Sequence, residues 1–488
     1  MAPETSSELD SLPVTFSPLI ETLIAALDIL LKESAPNAAH DSQARAFDTP
    51  RCDEDTRVEL INEVMERIED QESRRMVCMT GSAGSGKSAI AQTICEQCAE
   101  KDILGASFFF SVTDPTRNHP GRFIATLAYQ LADSIPVVRS HVLAAVQRDP
   151  SIFRKTPQAQ MDKLIIRPVL DVLSQGRASS STLSIHAIVI DGLDECSGEN
   201  NQQQVIVALH QLQSVPSLPF TILLTSRPEI AIRDALEPSG CLSQAVYHLV
   251  LNDYDASSDI RGYIRRRLGL VGQRRGLRNW PSERDLNALT YEAAGHFIYA
   301  MTVVKFIGER RASPIKRLEL VLDRSANGRP PMSLTAPMDT LYRTILEAAK
   351  HGYDETLGTT DSDFALRLQS MLYVISRSKL VGLAKHATEV DAILRLEPGD
   401  TISFLLDLHS VIHLQEDVDE NSQDTPATVH RISVWHKSFL DFLADPSRCG
   451  EFGIQEVCLT SYITACAFEN LSASVLDGEI AASSSHLP

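Results

Sequence analysis

The sequence predicts an α/β protein in which a parallel sheet, with helices on both faces, precedes a helical domain and a winged-helix-like domain. Three observations support this fold class. Short β-rich runs alternate with amphipathic helices over residues 51–240, and a glycine-rich loop follows the first of these runs. Helical periodicity without a convincing strand then extends over residues 241–325. Because alternating strands and helices need crossover connections, we expect the strands to be parallel.

The composition indicates a globular protein. The 488 residues carry a formal net charge of −19, and 43% of them are hydrophobic. An acidic chain of this kind is not expected to bind nucleic acid or anionic membranes. No apolar run reaches the length of about 18 residues that a membrane helix needs. The N-terminus has no signal-peptide pattern, and the nine cysteines are scattered, so we expect a cytoplasmic protein.

The chain up to residue 240 divides into two predicted parts. Residues 1–50 form an N-terminal helical segment and linker, because apolar residues recur at helical spacing over residues 18–31. Residues 51–240 form the sheet domain, and residues 177–184 are expected to be a loop within it. Its strand candidates are residues 76–79, 106–111, 186–190 and 220–225, and helix candidates include residues 88–100 and 122–134.

The chain after residue 240 is predicted to hold three further parts. A helical domain covers residues 241–330 and includes a helix over residues 286–310. Proline and glycine then break the pattern at residues 327–337, which indicates a linker. A winged-helix-like domain follows at 331–445, and a C-terminal helical region begins at 446–488. The winged-helix prediction combines helices near residues 339–349, 362–377 and 437–444 with β-like runs at residues 411–414 and 429–433.

A phosphate-binding loop follows the first predicted strand. The segment GSAGSGKS fits the pattern G-x-x-x-x-G-K-[ST] and stands between a strand and an amphipathic helix, as this motif requires. Glycines let backbone N–H groups surround an anion, and the helix N-terminus favours the same negative charge. We therefore predict ATP or ADP with Mg²⁺ as cofactors. The predicted nucleotide-binding residues are Gly81, Ser82, Ala83, Gly84, Ser85, Gly86, Lys87, Ser88 and Ala89.

Charged residues follow two later strands of the predicted sheet. Asp191 ends an apolar strand, at the sheet edge where ligands bind in open α/β folds, so we predict that it holds Mg²⁺ together with Ser88. Asp194 and Glu195 come next, and spacing alone does not decide which of them orients an attacking water. Arg227 ends the following strand and is predicted to contact the terminal phosphate. With Lys87, these four residues are the catalytic candidates.

Two other patterns are interpreted as structural. Cys95 and Cys98 lie three residues apart inside an apolar helical stripe, and no second CxxC completes a zinc site, so we predict that they pack in the core. Residues 265–278 carry a basic cluster without interleaved aromatic residues. A nucleic-acid surface is conceivable there, but a solvated helix end is the preferred interpretation.

These motifs together resemble the NACHT group of the STAND signalling NTPases, particularly fungal forms with a nephrocystin-like nucleotide-binding region. The resemblance covers residues 46–445 and also includes the segments AGHFIYA and VWHKSFLDFLA. It implies that nucleotide lies between the sheet, helical and winged-helix domains, and that His436 contacts the β-phosphate of ADP. The sequence departs from the group at Gly295–Phe297, which lacks a proline, and at Cys52–Arg57, which lacks a glycine.

Three functions are compatible with these features. The resemblance implies a signalling switch, related to innate-immunity proteins, in which slow ATP hydrolysis controls an open, closed or oligomeric form. A P-loop ATPase or kinase whose turnover is itself the function is the second hypothesis, and a scaffold with bound nucleotide is the third. The winged-helix-like segment favours the first, since a simple kinase does not need it. Self-association or protein partners are expected, without nucleic acid or membrane.

Overall fold

A computed structural model gives the fold of most of the chain. Among the described residues, no helix is both long and apolar enough to cross a membrane. The structure describes residues 18–46, 50–70, 75–112, 114–174, 186–243, 246–309, 312–326, 336–357, 362–381, 386–419, 427–453 and 456–484.

A five-stranded parallel sheet forms the centre of the first domain, and this confirms the predicted fold class. Its strand order is β2-β3-β4-β1-β5, so the loop after β1 and the loop after β3 lie on either side of the end of β4. The four predicted strands are all present. The strands are β1 (Met76–Thr80), β2 (Leu104–Phe109), β3 (His186–Asp191), β4 (Phe220–Ser226) and β5 (Tyr247–Val250).

The prediction that residues 241–325 contain no convincing strand is wrong, because β5 lies at Tyr247–Val250. Strand β5 spans only four residues, and among the described strands it pairs with β1 alone, at the edge of the sheet. Its half-buried, polar-containing segment YHLV lacks the continuous apolar run of the inner strands. In β1, β3 and β4 every residue is buried.

The core of this domain lies on both faces of the sheet. Alternate residues of a strand point to opposite faces, so Met76 and Cys78 belong to one hydrophobic cluster and Val77 and Met79 to another. In the part of this domain that the structure describes, ten α-helices accompany the sheet, and a π-helical turn at Met161–Ile166 joins two of them. They are α1 (Pro18–Glu33), α2 (Gln43–Ala46), α3 (Val58–Glu69), α4 (Lys87–Glu100), α5 (Phe123–Ser134), α6 (Pro136–Arg148), α7 (Pro157–Gln160), α8 (Arg167–Ser174), α9 (Glu199–Gln213) and α10 (Ile230–Leu236).

The predicted N-terminal helix is confirmed as α1. It packs against α5 and α6, and its buried residues Ala26 and Leu30 join the same hydrophobic cluster as one face of the sheet. Helix α1 therefore contributes to the core of the sheet domain. The predicted loop at residues 177–184 lies outside the described residues.

A helical region follows β5. Its helices are α11 (Ser257–Arg274), α12 (Glu283–Ala293), α13 (Phe297–Ile307) and α14 (Pro314–Ala326). The single helix predicted over residues 286–310 is two helices, because Ala294 and Gly295 adopt positive φ angles of 45° and 81°. This backbone conformation ends α12, and His296 becomes the N-cap of α13.

Helices and a hairpin form the last region. The two predicted β-like runs are confirmed as an antiparallel pair, and the predicted helix after them is confirmed as α19. Most of the predicted linker, residues 327–335, lies outside the described residues. The elements are α15 (Ala336–Leu357), α16 (Ser362–Val381), α17 (Ala387–Leu394), α18 (Asp400–Leu405), β6 (Ile412–Asp419), β7 (Ala427–Val434), α19 (Lys437–Ala444), α20 (Pro446–Cys449) and α21 (Glu456–Ser484).

Candidate nucleotide-binding site

The glycine-rich loop connects the end of β1 to the start of α4. Gly84 and Gly86 have φ angles of +74° and +99°, a conformation that residues with a Cβ rarely adopt. The first intrahelical hydrogen bond of α4 runs from the N–H of Ile90 to the carbonyl of Gly86, at 3.0 Å. The N–H groups of Gly86, Lys87, Ser88 and Ala89 therefore precede it, as free donors do at a helix start. This arrangement fits a bound anion.

The ammonium group of Lys87 lies over this loop. Its Nζ donates hydrogen bonds to the carbonyl oxygens of Gly81 and Ser82, at 2.8 and 2.9 Å. Burial lowers the pKa of Lys87, while the nearby carboxylates of Asp194 and Asp191 act to raise it. The cation is thus held by carbonyl oxygens within the field of an acidic cluster, so a phosphate group would meet a positive charge at the loop.

The predicted metal pair is close together in the structure. Asp191 is buried, and its Oδ1 accepts a hydrogen bond from Thr225 Oγ1 at 2.5 Å. The Ser88 side chain also hydrogen-bonds to this carboxylate. Burial raises the pKa of Asp191, and these two hydrogen bonds partly offset the effect. One hydroxyl and one carboxylate beside a phosphate-binding loop fit Mg²⁺, which takes few protein ligands and completes its shell with water and phosphate oxygens.

The two other acidic candidates differ in how they are held. Asp194 accepts a hydrogen bond from the backbone N–H of Arg227 through Oδ1, and its Oδ2 forms an ion pair with Arg227 Nε, each at 3.0 Å. Glu195 accepts one from the N–H of Val112 through Oε2, at 3.0 Å. Burial raises the pKa of Glu195 to about 7. In the structure, therefore, Asp194 is paired with the arginine, whereas Glu195 is a carboxyl whose pKa lies near neutrality, as the pKa of a general base at neutral pH should.

Arg227 joins the sheet domain to the hairpin region. Besides Asp194, its guanidinium contacts Asp441 in α19, with Nη1 and Oδ2 3.2 Å apart. The side chain of Arg227 is only 18% exposed, so the guanidinium lies between the two regions. An arginine predicted to contact a phosphate is held here by two carboxylates.

His436 is the N-cap of α19. The backbone N–H of Ser438 donates to its Nδ1 at 3.1 Å, so the proton of the neutral imidazole is on Nε2. Burial, together with the positive charges of Arg227, Lys87 and Lys437, lowers the pKa of His436 to about 3. The histidine is thus a neutral hydrogen-bond donor near the two cations predicted to hold phosphate.

The helical region covers one side of the glycine-rich loop. Ser82 Oγ lies 3.1 Å from His296 Nε2, and the N–H of Ile298 donates to the carbonyl of Gly84 at 3.2 Å. A Cβ added at Gly84 would lie 2.0 Å from Ile298 Cγ2. Arg57, from the segment before α3, donates through Nη2 to the carbonyl of Ser85 at 3.3 Å. The loop is therefore enclosed by parts of the chain distant in sequence.

Sequence reasoning missed two residues of this cluster. Thr225 lies in the segment LLTSRPE, and a hydroxyl two residues before Arg227 was a usable signal, since Thr225 is at the end of β4 and Arg227 follows that strand directly. Asp441 lies in α19 on the segment VWHKSFLDFLA, but no local pattern connects an aspartate there with Arg227, 214 residues away. This pairing depends on tertiary structure alone.

The remaining sequence predictions concern cysteines and arginines. Cys95 and Cys98 lie in α4 and are fully buried in the hydrophobic cluster that α4 shares with α3, which confirms the packing interpretation. In the basic cluster, Arg265 pairs with Glu283, at 2.8 Å. Arg266 and Arg267 pair with one partner, Asp53, at 2.9 and 3.2 Å. These three cations are balanced by carboxylates, although the absence of nucleic-acid binding stays a prediction.

Comparison with known proteins gives one family match. The sequence model of the family described as Nephrocystin 3, N-terminal, matches residues 58–227, a span from the start of α3 to Arg227. No curated protein matches the chain.

Two solved structures are similar at low identity. One, of Drosophila ORC bound to DNA, is 12% identical, with a TM-score of 0.28, and the match covers 89% of this chain and 94% of that chain. The other, of Cdc6p from Pyrobaculum aerophilum, is 13% identical, with a TM-score of 0.30 and coverage of 88% and 99%. Neither similarity is strong enough to bear on function. The glycine-rich loop, the sheet and the family match together identify the chain as a P-loop NTPase with a region similar to the N-terminal part of nephrocystin 3.

Proposed function

We propose that the chain is a nucleotide-dependent signalling switch of the NACHT type within the STAND NTPases, as the sequence motifs imply. In this proposal the nucleotide is enclosed by the sheet domain, the helical domain and the winged-helix-like domain. Its state controls whether these domains are closed, open or assembled into an oligomer. The observation that carries the proposal is the position of Arg227, which contacts Asp194 in the sheet domain and Asp441 in α19.

The residues of the site divide into three tasks in this proposal. The N–H groups at the start of α4 and the ammonium of Lys87 bind the phosphates, and Ser88 and Asp191 hold Mg²⁺. When bound, Mg²⁺ neutralises phosphate charge and so favours phosphoryl transfer to water. Glu195 accepts a proton from that water through the carboxylate oxygen that Val112 does not occupy. The result is slow ATP hydrolysis.

The switch follows from competition for one guanidinium. A ligand shifts a conformational equilibrium only when it binds the two states with different free energies. Arg227 cannot form a full ion pair with Asp441 and with a terminal phosphate at the same time. ATP would therefore weaken the contact between the sheet domain and α19, and ADP would leave it intact. His436, as a neutral donor beside Lys87, would hold the diphosphate in the closed form.

The bound nucleotide of the purified protein tests this proposal. We expect the wild type to retain ADP and to turn over ATP slowly, with a change in elution volume when an ATP analogue replaces ADP. Lys87→Ala should lose nucleotide binding and keep its fold, measured by calorimetry and circular dichroism. Lys101→Ala is the matched control, because Lys101 ends the same helix, pairs with Glu69 and is half-exposed.

Three outcomes would contradict the proposal. Micromolar nucleotide affinity in Lys87→Ala would show that the loop is not the binding site. Rapid multiple turnover would indicate an enzyme whose product is the purpose of the reaction. Retained nucleotide with no change in elution volume or shape would indicate a scaffold.

A further inference from the structure

The chain segment before the sheet domain is hydrogen-bonded to its surface. We call residues 34–46 the upstream segment. The N–H of Ala35 donates to Thr126 Oγ1, and the N–H of His40 donates to Ser107 Oγ, both at 2.9 Å. Gln92 Nε2 donates to the carbonyl of His40 at 3.1 Å. Main-chain groups of the segment thus bind side chains on α4, α5 and β2.

Arg45 is the cation at the end of this segment. Its guanidinium carbon lies 3.6 Å from the centroid of the Phe109 ring, and its Nη2 donates to Gln92 Oε1 at 3.2 Å. Its Nε is buried and has no hydrogen-bond partner among the residues that the structure describes. Burial lowers the pKa of Arg45 to about 10, so it stays a cation at neutral pH. A buried donor without an acceptor costs free energy, so this N–H opposes the docked position that the other contacts favour.

Both residues that Arg45 contacts, Phe109 and Gln92, are neighbours of the predicted metal pair, Ser88 and Asp191. Phe109 is the register partner of Asp191 between β2 and β3. Gln92 follows Ser88 by four residues in α4, so the two side chains share one face of that helix. Asp191 is the carboxylate that attracts Arg45 most strongly, and Glu195 attracts it less, while Arg117 repels it. The guanidinium of Arg45 and a cation bound between Ser88 and Asp191 would therefore both be stabilised by the negative charge of Asp191.

We propose that Arg45 couples docking of the upstream segment to divalent-cation binding at Ser88 and Asp191, with opposite sign. Two positive charges that share one carboxylate repel, so each weakens the binding of the other. The coupling is reciprocal by thermodynamic linkage. A divalent cation with nucleotide loosens the segment, and removal of the guanidinium strengthens cation binding. This inference rests on the proposed nucleotide site but not on a switch between domain arrangements.

Three variants separate the effect of the charge of Arg45 on cation binding from the effect of its packing against Phe109. Arg45→Met removes the charge and keeps an apolar side chain on Phe109, and Arg45→Lys keeps the charge. Arg51→Met is the matched control, because Arg51 pairs with Glu96 of α4 at 2.7 Å and its side chain is 60% exposed. The measurement is the Mg²⁺ midpoint for thermal stabilisation by a non-hydrolysable ATP analogue.

We expect Arg45→Met to lower this midpoint by about fivefold or more, the low end of common coupling strengths. The midpoints of Arg45→Lys and Arg51→Met should stay within twofold of the wild type. An unchanged or raised midpoint in Arg45→Met would overturn the inference, and so would equal shifts in Arg45→Met and Arg45→Lys.

Hydrogen exchange of the wild type tests whether a divalent cation loosens the upstream segment. This measurement needs no variant, so it tests the inference even if Arg45→Met fails to fold. The amides of Ala35 and His40 should exchange faster with the analogue and Mg²⁺ than with the analogue alone. Equal exchange in the two conditions would overturn the inference while leaving the proposed function intact. If the wild type bound no analogue at all, both would fail together.

Discussion

Arg227 Nη1 lies 3.2 Å from Asp441 Oδ2, so the end of a sheet strand is paired with a helix more than 200 residues later in the chain. The same arginine donates a hydrogen bond to Asp194 through its backbone N–H and forms an ion pair with it through Nε. One side chain therefore connects the acidic loop after β3 with α19. Any ligand that attracts this guanidinium changes the balance between the two carboxylates.

Removing the charge of Asp441 tests that balance. Asp441→Asn should raise the affinity for an ATP analogue relative to ADP by roughly twofold to fivefold, because a partly exposed ion pair contributes at most about 1 kcal/mol. The side chain of Asp441 is 36% exposed, which supports this modest size. Calorimetric titration with both nucleotides measures the ratio. Asp441→Glu keeps the carboxylate and should differ less. An unchanged ratio in Asp441→Asn would show that Arg227 does not exchange partners.

Substitution of His436 should speed the release of ADP. A hydrogen bond to a charged group contributes about 1.5–3 kcal/mol, so His436→Ala is expected to raise the ADP off-rate roughly 10- to 150-fold. His436→Asn is a useful comparison, because asparagine is a good N-cap for α19 but is too short to replace the Nε2 donor. Stopped-flow displacement of a fluorescent ADP measures both rates. A normal off-rate in His436→Asn, with a fast one in His436→Ala, would attribute the effect to the helix cap.

The pKa of Glu195 predicts a pH dependence of ATP turnover. With a pKa of about 7, this carboxyl is protonated at pH 6 and ionised at pH 8, and only the ionised form accepts a proton from water. Turnover should therefore rise with pH through this range, and a nearby divalent cation would move the midpoint downward because it favours the carboxylate. Phosphate release measured from pH 5.5 to pH 8.5 gives the profile. Glu195→Gln should bind nucleotide normally and lose both the turnover and this profile.

Asp191→Asn should separate nucleotide binding from metal-dependent hydrolysis. The neutral amide keeps a similar shape and can still hydrogen-bond to Thr225, but it offers a weaker ligand to Mg²⁺. We expect ADP affinity without Mg²⁺ to change less than threefold and Mg²⁺-dependent ATP turnover to fall at least tenfold. Calorimetry and phosphate release are the two measurements. Undiminished turnover would place the metal on other residues.

Much of the fold follows from local sequence patterns. The inner strands are continuous apolar runs because both faces of a parallel sheet are covered, and such runs are visible in the sequence. The edge strand β5 is visible only through its pairing with β1, since its four residues carry no periodic pattern. The break between α12 and α13 depends on the backbone of Ala294, a residue that normally favours helix.

The site was predictable to the extent that it follows motifs. Lys87, Ser88 and Asp191 come together because strand order fixes where loops meet, and the motif residues stand at strand ends. Our proposal that Glu195 rather than Asp194 accepts the proton rests on the contacts of Arg227 and Val112, which the sequence does not contain. The position of Arg45 likewise depends on how a distant segment packs.

The contact between Gly84 and Ile298 affects how mutations in the glycine-rich loop should be interpreted. Position 84 is restricted by the handedness of its backbone and also by a neighbour from another region that leaves no volume for a methyl group. The methyl group of an alanine at position 84 would clash with Ile298 and displace the helical region. Such a variant would bind ligand more weakly even if its contacts with the phosphates were intact. A variant at Lys87, whose ammonium donates hydrogen bonds to carbonyl oxygens of the loop itself, is the better probe of ligand chemistry.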